Sequence, residues 1–123
     1  MSHFPSLTWF QGAAESIVAD EDFRSHGRWL RARIAFCVDE LSVVMHFDRG
    51  LVSEVHEGKT PHDFLIAGTA DKWDLMFSQG WGLVRMYRTG SFDIQGEPVQ
   101  LMREWKAIFF IAEALKRHHA RVA

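Results

Sequence analysis

"WLRARIAFCVDELSVVMHFD", residues 29–48, is the stretch that decides how this chain folds. Leu30, Ala32, Ile34, Phe36 and Val38 share one face, while Trp29, Arg31, Arg33, Ala35 and Cys37 share the other. That period of two is the signature of a β-strand. Beyond Asp39-Glu40 the alternation resumes, with Leu41, Val43, Met45 and Phe47 against Ser42, Val44, His46 and Asp48. A turn at Asp39-Glu40 pairs Val38 with Leu41, Phe36 with Val43, Ile34 with Met45 and Ala32 with Phe47. The same register sets Arg31 opposite Asp48, so one pairing satisfies both faces. An antiparallel hairpin follows. Its turn is not of the favoured Asn-Gly type, which leaves a longer loop open.

Working outward, "DRG" at Asp48 to Gly50 predicts a three-residue loop with Gly in the left-handed position. A third strand, Leu51 to His56, alternates more weakly, and "HDFLIAG" reads as a fourth. Thr69 caps a helix with Ala70, Trp73, Met76 and Phe77 on one side. A loop and a short helix near Leu83 to Arg88 lead to a fifth strand in "SFDIQG". Pro98 opens a long helix through Leu101, Met102, Trp105, Ile108, Phe109, Ala112 and Leu115. Upstream, Leu7, Phe10, Ala14, Ile17 and Val18 follow helical spacing, and "ADEDFRSHG" supplies a turn with a short helical piece. The predicted class is α+β, a five-stranded, mostly antiparallel sheet with helices on one face.

The last helix contains "WKAIFFIAEAL", residues 105–115, more apolar than one stripe can hold. At about 100° per residue, Leu101, Trp105, Ile108, Phe109, Ala112 and Leu115 make the stripe that packs on the sheet. Ile111 sits at its border. Phe110 is the true excess, and the plain expectation for it is contact with the first helix or the C-terminal tail. A second concentration is Trp73, Met76, Phe77, Trp81, Met86 and Tyr87 in the middle helices. Flexible Met and flat rings line adaptable cavities, and they equally fill dry cores.

The 123 residues suit a single domain spanning 1–123, large enough to bury a core without staples. A formal net charge of −2 argues against nucleic acid as a partner. One cysteine, Cys37, makes no internal disulfide, and the opening "MSHFPSLTWFQG" has no signal-peptide pattern. No apolar run reaches membrane-spanning length, so no membrane span is expected and the cytoplasm is the default location.

Seven histidines raise a metal. In the expected register His46 faces Val52 and His56 faces Ser42, placing the two His roughly 13 Å apart along the sheet. Ligands converge at about 2 Å from one ion, so no metal site and no cofactor are expected. His62-Asp63 and His118-His119 read as turn and cap residues. Cys37 near His56 and Ser42 reads as packing, and no Gly-x-Ser-x-Gly, His-Glu-x-x-His or phosphate-loop motif occurs. Catalysis by this chain alone is not expected. An interaction module is the rival class: Val44, Val52, Trp29 and Ala35 would form an outward apolar strip, and Phe110 a protrusion, either serving a homodimer.

"DFLIAGTADKWDLMFSQ", followed by "TGSFDIQGEPVQLMREW", resembles the sterol-carrier-protein-2 (SCP2) family of lipid-binding domains. The likeness lies in a strand entering a capped helix, then Gly90, Phe92, Ile94 and Gly96 opening a long helix, with Glu97 where an Asp is common. The resemblance implies an apolar tunnel between sheet and helices, with Trp73, Phe77, Trp81, Met86, Phe109 and Leu115 as ligand-binding lining. It implies a fatty acyl chain, acyl-CoA or sterol as partner, or service as an accessory domain to an enzyme. Arg85, Arg88 and Arg103 are candidates to meet a carboxylate or phosphate at the mouth, with solvated surface charge the simpler account of each.

Overall fold

A computed structural model describes residues 3–122. Two helices, α1 (Leu7–Ala19) and α2 (Glu21–His26), precede β1 (Ala32–Val38), β2 (Leu41–Asp48), β3 (Leu51–Glu57) and β4 (Phe64–Gly68). Then come α3 (Ala70–Ser78), α4 (Leu83–Arg88), β5 (Asp93–Gly96) and the 25-residue α5 (Pro98–Val122). The β1–β2 register is the one that the alternation dictates, from Val38↔Leu41 to Ala32↔Phe47. Arg31 Nε lies 3.1 Å from Asp48 Oδ1 across the same pair. The sheet order is β3-β2-β1-β4-β5, with β4 parallel to β1 and every other pairing antiparallel. Asp63 fixes where β4 starts. Its backbone N–H donates to the Arg33 carbonyl at 2.8 Å, and its carboxylate accepts from the Arg33 N–H at 2.8 Å.

The third strand departs from the expected register twice. The loop before it has two residues, Arg49 and Gly50, with φ of 52° and 75°. Both lie in the left-handed region, as tight hairpin turns of the primed type require. A Cβ on Gly50 would stand 2.8 Å from Arg28 Cα and 2.9 Å from the Gly27 carbonyl, so the position has no room for a side chain. Next, Phe47 faces Val52 while His46 faces Glu54. Ser53 is therefore an extra residue, a β-bulge, whose hydroxyl donates to the His46 carbonyl at 3.3 Å.

The consequence is a correction. His56 stands opposite Val44, not Ser42, and His46 opposite Glu54, not Val52. The two imidazoles, expected 13 Å apart, have ring centroids 5.1 Å apart and Nε2 atoms 3.0 Å apart. The outward apolar strip is also lost. Val44 and Ala35 are buried, and Val52 turns to the other face, beside Phe47. Of the four residues only Trp29 is strongly exposed, at 75%.

Helices cover the other face. Ile34, Phe36, Val38, Val43, Met45, Phe47, Phe64 and Ile66 bury against Trp9, Phe10, Ile17, Trp73, Met76, Ile108 and Leu115. Helix starts are capped as composition suggests: Ser6 Oγ accepts from Trp9 N at 3.1 Å, and Thr69 Oγ1 from Lys72 N at 3.3 Å. At α5 Pro98 follows Glu97, whose carboxylate accepts from Gln100 N at 2.8 Å and Val99 N at 3.1 Å. These bonds, with the Arg103 charge adding to them, hold the Glu97 carboxyl below its usual range. Phe110 stacks on His26 of α2 at 4.8 Å between centroids, so the second helix absorbs the excess, not the first helix or the tail.

His118 and His119 are not caps, because α5 continues past them to Val122. His118 packs edge-on to Trp9 at 5.0 Å, and its Nδ1 hydrogen-bonds Ser16 Oγ at 2.9 Å. His119 stacks on Phe77 at 4.2 Å. His118 Nε2 and His119 Nδ1 are buried and meet no hydrogen-bond partner among the described residues. Burial lowers both pKa values, helped at His118 by the Arg121 and His119 charges. The folded state therefore takes up these protons less readily than the unfolded chain, whose imidazoles titrate near 6.5. Their stabilising effect is complete above that value and is lost as pH falls through the depressed folded values. The urea midpoint is expected to be lower at about pH 5.5 than at about pH 7.5. Replacing both His with Gln should flatten that dependence.

Candidate functional site

The six residues assigned to a lining belong to one apolar assembly. Trp73, Met86 and Leu115 are fully buried in it; Phe77, Trp81 and Phe109 are half-buried and pack against it. Trp73 is ringed by aromatics, with Phe92 at 4.7 Å, Phe4 at 5.8 Å and Phe77 at 6.1 Å. Its indole N–H donates to the Cys37 carbonyl of β1 at 2.9 Å. Trp81, in the α3–α4 loop, carries the Arg85 guanidinium 3.9 Å from its ring centroid, so that arginine is already committed. Phe109 lies edge-on to Phe110 at 5.2 Å, and a Cβ on Gly82 would stand 4.0 Å from its ring, an ordinary contact.

An open apolar groove lies elsewhere, and none of these six residues lines it. Tyr87 of α4, Ile94 to Gly96 of β5, and Pro98, Leu101, Met102 and Trp105 of α5 line a groove of about 600 Å³. That volume is within the range of about 300–1,000 Å³ usual for small-molecule sites. Tyr87 meets Trp105 edge-on at 5.7 Å across one end. Pro98, the first residue of α5, lines it as well. Met102 is 75% exposed and Tyr87 50%, with Val99 at 64% nearby. Large apolar side chains clustered in solvent mark a contact surface more often than chance. The groove floor depends on Gly96, since a Cβ there would meet the Phe64 ring at 2.5 Å.

The helical stripe named Leu101 and Trp105 as sheet-packing residues, but both stay half-buried at the groove. The missed signal was Val99 with Met102, apolar residues three apart and off the buried stripe. Met86 precedes Tyr87 and points into the core, so the sequence chose the buried neighbour of the groove residue.

The architecture defines an α+β domain with helices on one face of a mixed sheet and an apolar groove at the β5 end. No protein-family model matches the chain, and no curated protein does. Solved structures do match. A crystal structure of sterol carrier protein 2 superposes with a TM-score of 0.81 at 14% identity, covering 93% of this chain and 98% of that one. A conserved hypothetical protein from Thermus thermophilus gives 0.76 at 15%, covering 96% and 90%. Palmitated SCP2L2 from Aedes aegypti gives 0.55 at 12%, covering 80% and 92%. The fold is therefore that of sterol carrier protein 2. Among the described residues no helix is long and apolar enough to cross a membrane.

Proposed function

We propose that the chain binds the acyl part of a lipid, without chemistry, in the groove between α4, β5 and α5. The observation that carries this reading is the cluster of Tyr87, Leu101, Met102 and Trp105 around open apolar space. The fold supports it, because structures sharing it are described as sterol carrier proteins, one of them palmitated. Binding is driven by removal of apolar area from water, about 25 cal/mol per Å² before ordering costs.

The six residues Trp73, Phe77, Trp81, Met86, Phe109 and Leu115 are the candidate contacts for a chain that enters the core layer itself. An acyl chain reaches it by displacing α4, a six-residue helix without a side-chain cap, bounded by Gly82 and by Gly90 at φ 72°. Leu83 and Met86 of α4 are fully buried, so the entering chain has to replace their contacts as α4 moves. The test is organic extraction of purified protein with mass spectrometry, then titration with palmitate. Co-purified acyl lipid, or saturable palmitate binding, is expected. Neither result would move the reading to an interaction module.

A further inference from the structure

Away from the groove, on the sheet face that the helices leave open, the Ser53 bulge brings three donor side chains together. His46 Nε2 lies 3.0 Å from His56 Nε2 and 3.8 Å from Glu54 Oε2. The donor atoms of all three fall within 4.8 Å of one another. We propose that His46, His56 and Glu54 form a binding site for a zinc-class divalent ion, with a further coordination position open to solvent.

The geometry suits that ion. Nitrogens at about 2.0–2.1 Å from one zinc, subtending 90° to 109°, lie about 2.8–3.4 Å apart, which brackets the observed 3.0 Å. His56 is already oriented as a ligand. Its Nδ1 lies 3.2 Å from the Glu57 carbonyl, and a carbonyl only accepts, so the proton of neutral His56 sits on Nδ1. The lone pair on Nε2 then faces His46, the arrangement in which an outer hydrogen bond fixes a metal-binding imidazole. Val44, the buried cross-strand partner of His56, supplies an apolar floor that strengthens a charge interaction above it. Glu54 is mostly exposed and free to close the remaining distance by a change of rotamer. Two imidazoles and one carboxylate favour zinc over calcium or magnesium, which prefer oxygen ligands. Arg33, the cross-strand partner of His46, is the opposing charge on this face; its exposure keeps its repulsion screened.

Chelator-stripped protein without a histidine tag, titrated calorimetrically with Zn²⁺, tests the proposal. One equivalent should bind at micromolar concentration. His46→Ala and His56→Ala should each weaken binding at least about tenfold, Glu54→Gln less, and His62→Ala, in the β3–β4 connection, not at all. Circular dichroism checks that the variants fold. Absence of wild-type binding at micromolar Zn²⁺ overturns the site without reference to any variant. So does binding that survives in both folded His variants.

Discussion

Trp73→Ala is expected to lower folding stability by about 3–5 kcal/mol, measured as a fall in the urea midpoint at unchanged slope. The indole is wholly buried where α3 meets the sheet, among Phe4, Phe10, Phe36, Phe77 and Phe92. Truncation leaves a cavity that this aromatic cluster closes only in part. It also removes the N–H that bonds the Cys37 carbonyl. Trp73→Phe separates these effects: it keeps much of the volume but leaves the carbonyl without its donor, and about 1–3 kcal/mol should be lost. A loss below about 1 kcal/mol for the alanine variant, far under the usual cost of such a truncation, would show that the layer around Trp73 is loosely packed. That outcome would favour a wide pre-formed cavity over one opened by moving α4.

The sequence made the centre of the sheet legible because two independent demands, apolar pairing and the Arg31–Asp48 charge pair, agree on one register. At β3 only one weak pattern was available. Val52 and Val55 are three apart, yet they oppose Phe47 and Met45 on the same covered face. An odd spacing on one face of a strand requires a bulge, so the poor alternation of "LVSEVHE" was itself the signal of the extra residue. Expecting a three-residue loop placed Val52 on the wrong side, and reading a regular strand after it, together with that loop, separated His46 from His56. The groove was harder to see. Its apolar residues come from three elements, and a helical stripe marks which side is apolar without showing where its neighbour ends. Leu101 and Trp105 fit the stripe as core residues, but β5 is only four residues long and leaves their end of α5 uncovered.

The double variant Met102→Glu/Trp105→Ala is expected to weaken palmitate binding about 100-fold or more, read by titration calorimetry. Each of these side chains contributes about 1.5–3 kcal/mol when an acyl chain covers it fully. Partial cover and ordering costs reduce the sum, and about 2.7 kcal/mol already corresponds to 100-fold. Met102→Glu alone should change stability by less than about 0.5 kcal/mol, because the side chain is 75% exposed in the free protein. Its effect on affinity is thereby separable from misfolding. Trp29→Ala, which removes an equally exposed aromatic outside the groove lining, should leave affinity unchanged. If the double variant binds like the wild type while Phe109→Ala does not, the acyl chain enters the layer under α4 without crossing the groove. The entry route would then lie on the Gly82 side of the Phe109 ring, where a Cβ on that glycine would only just touch it.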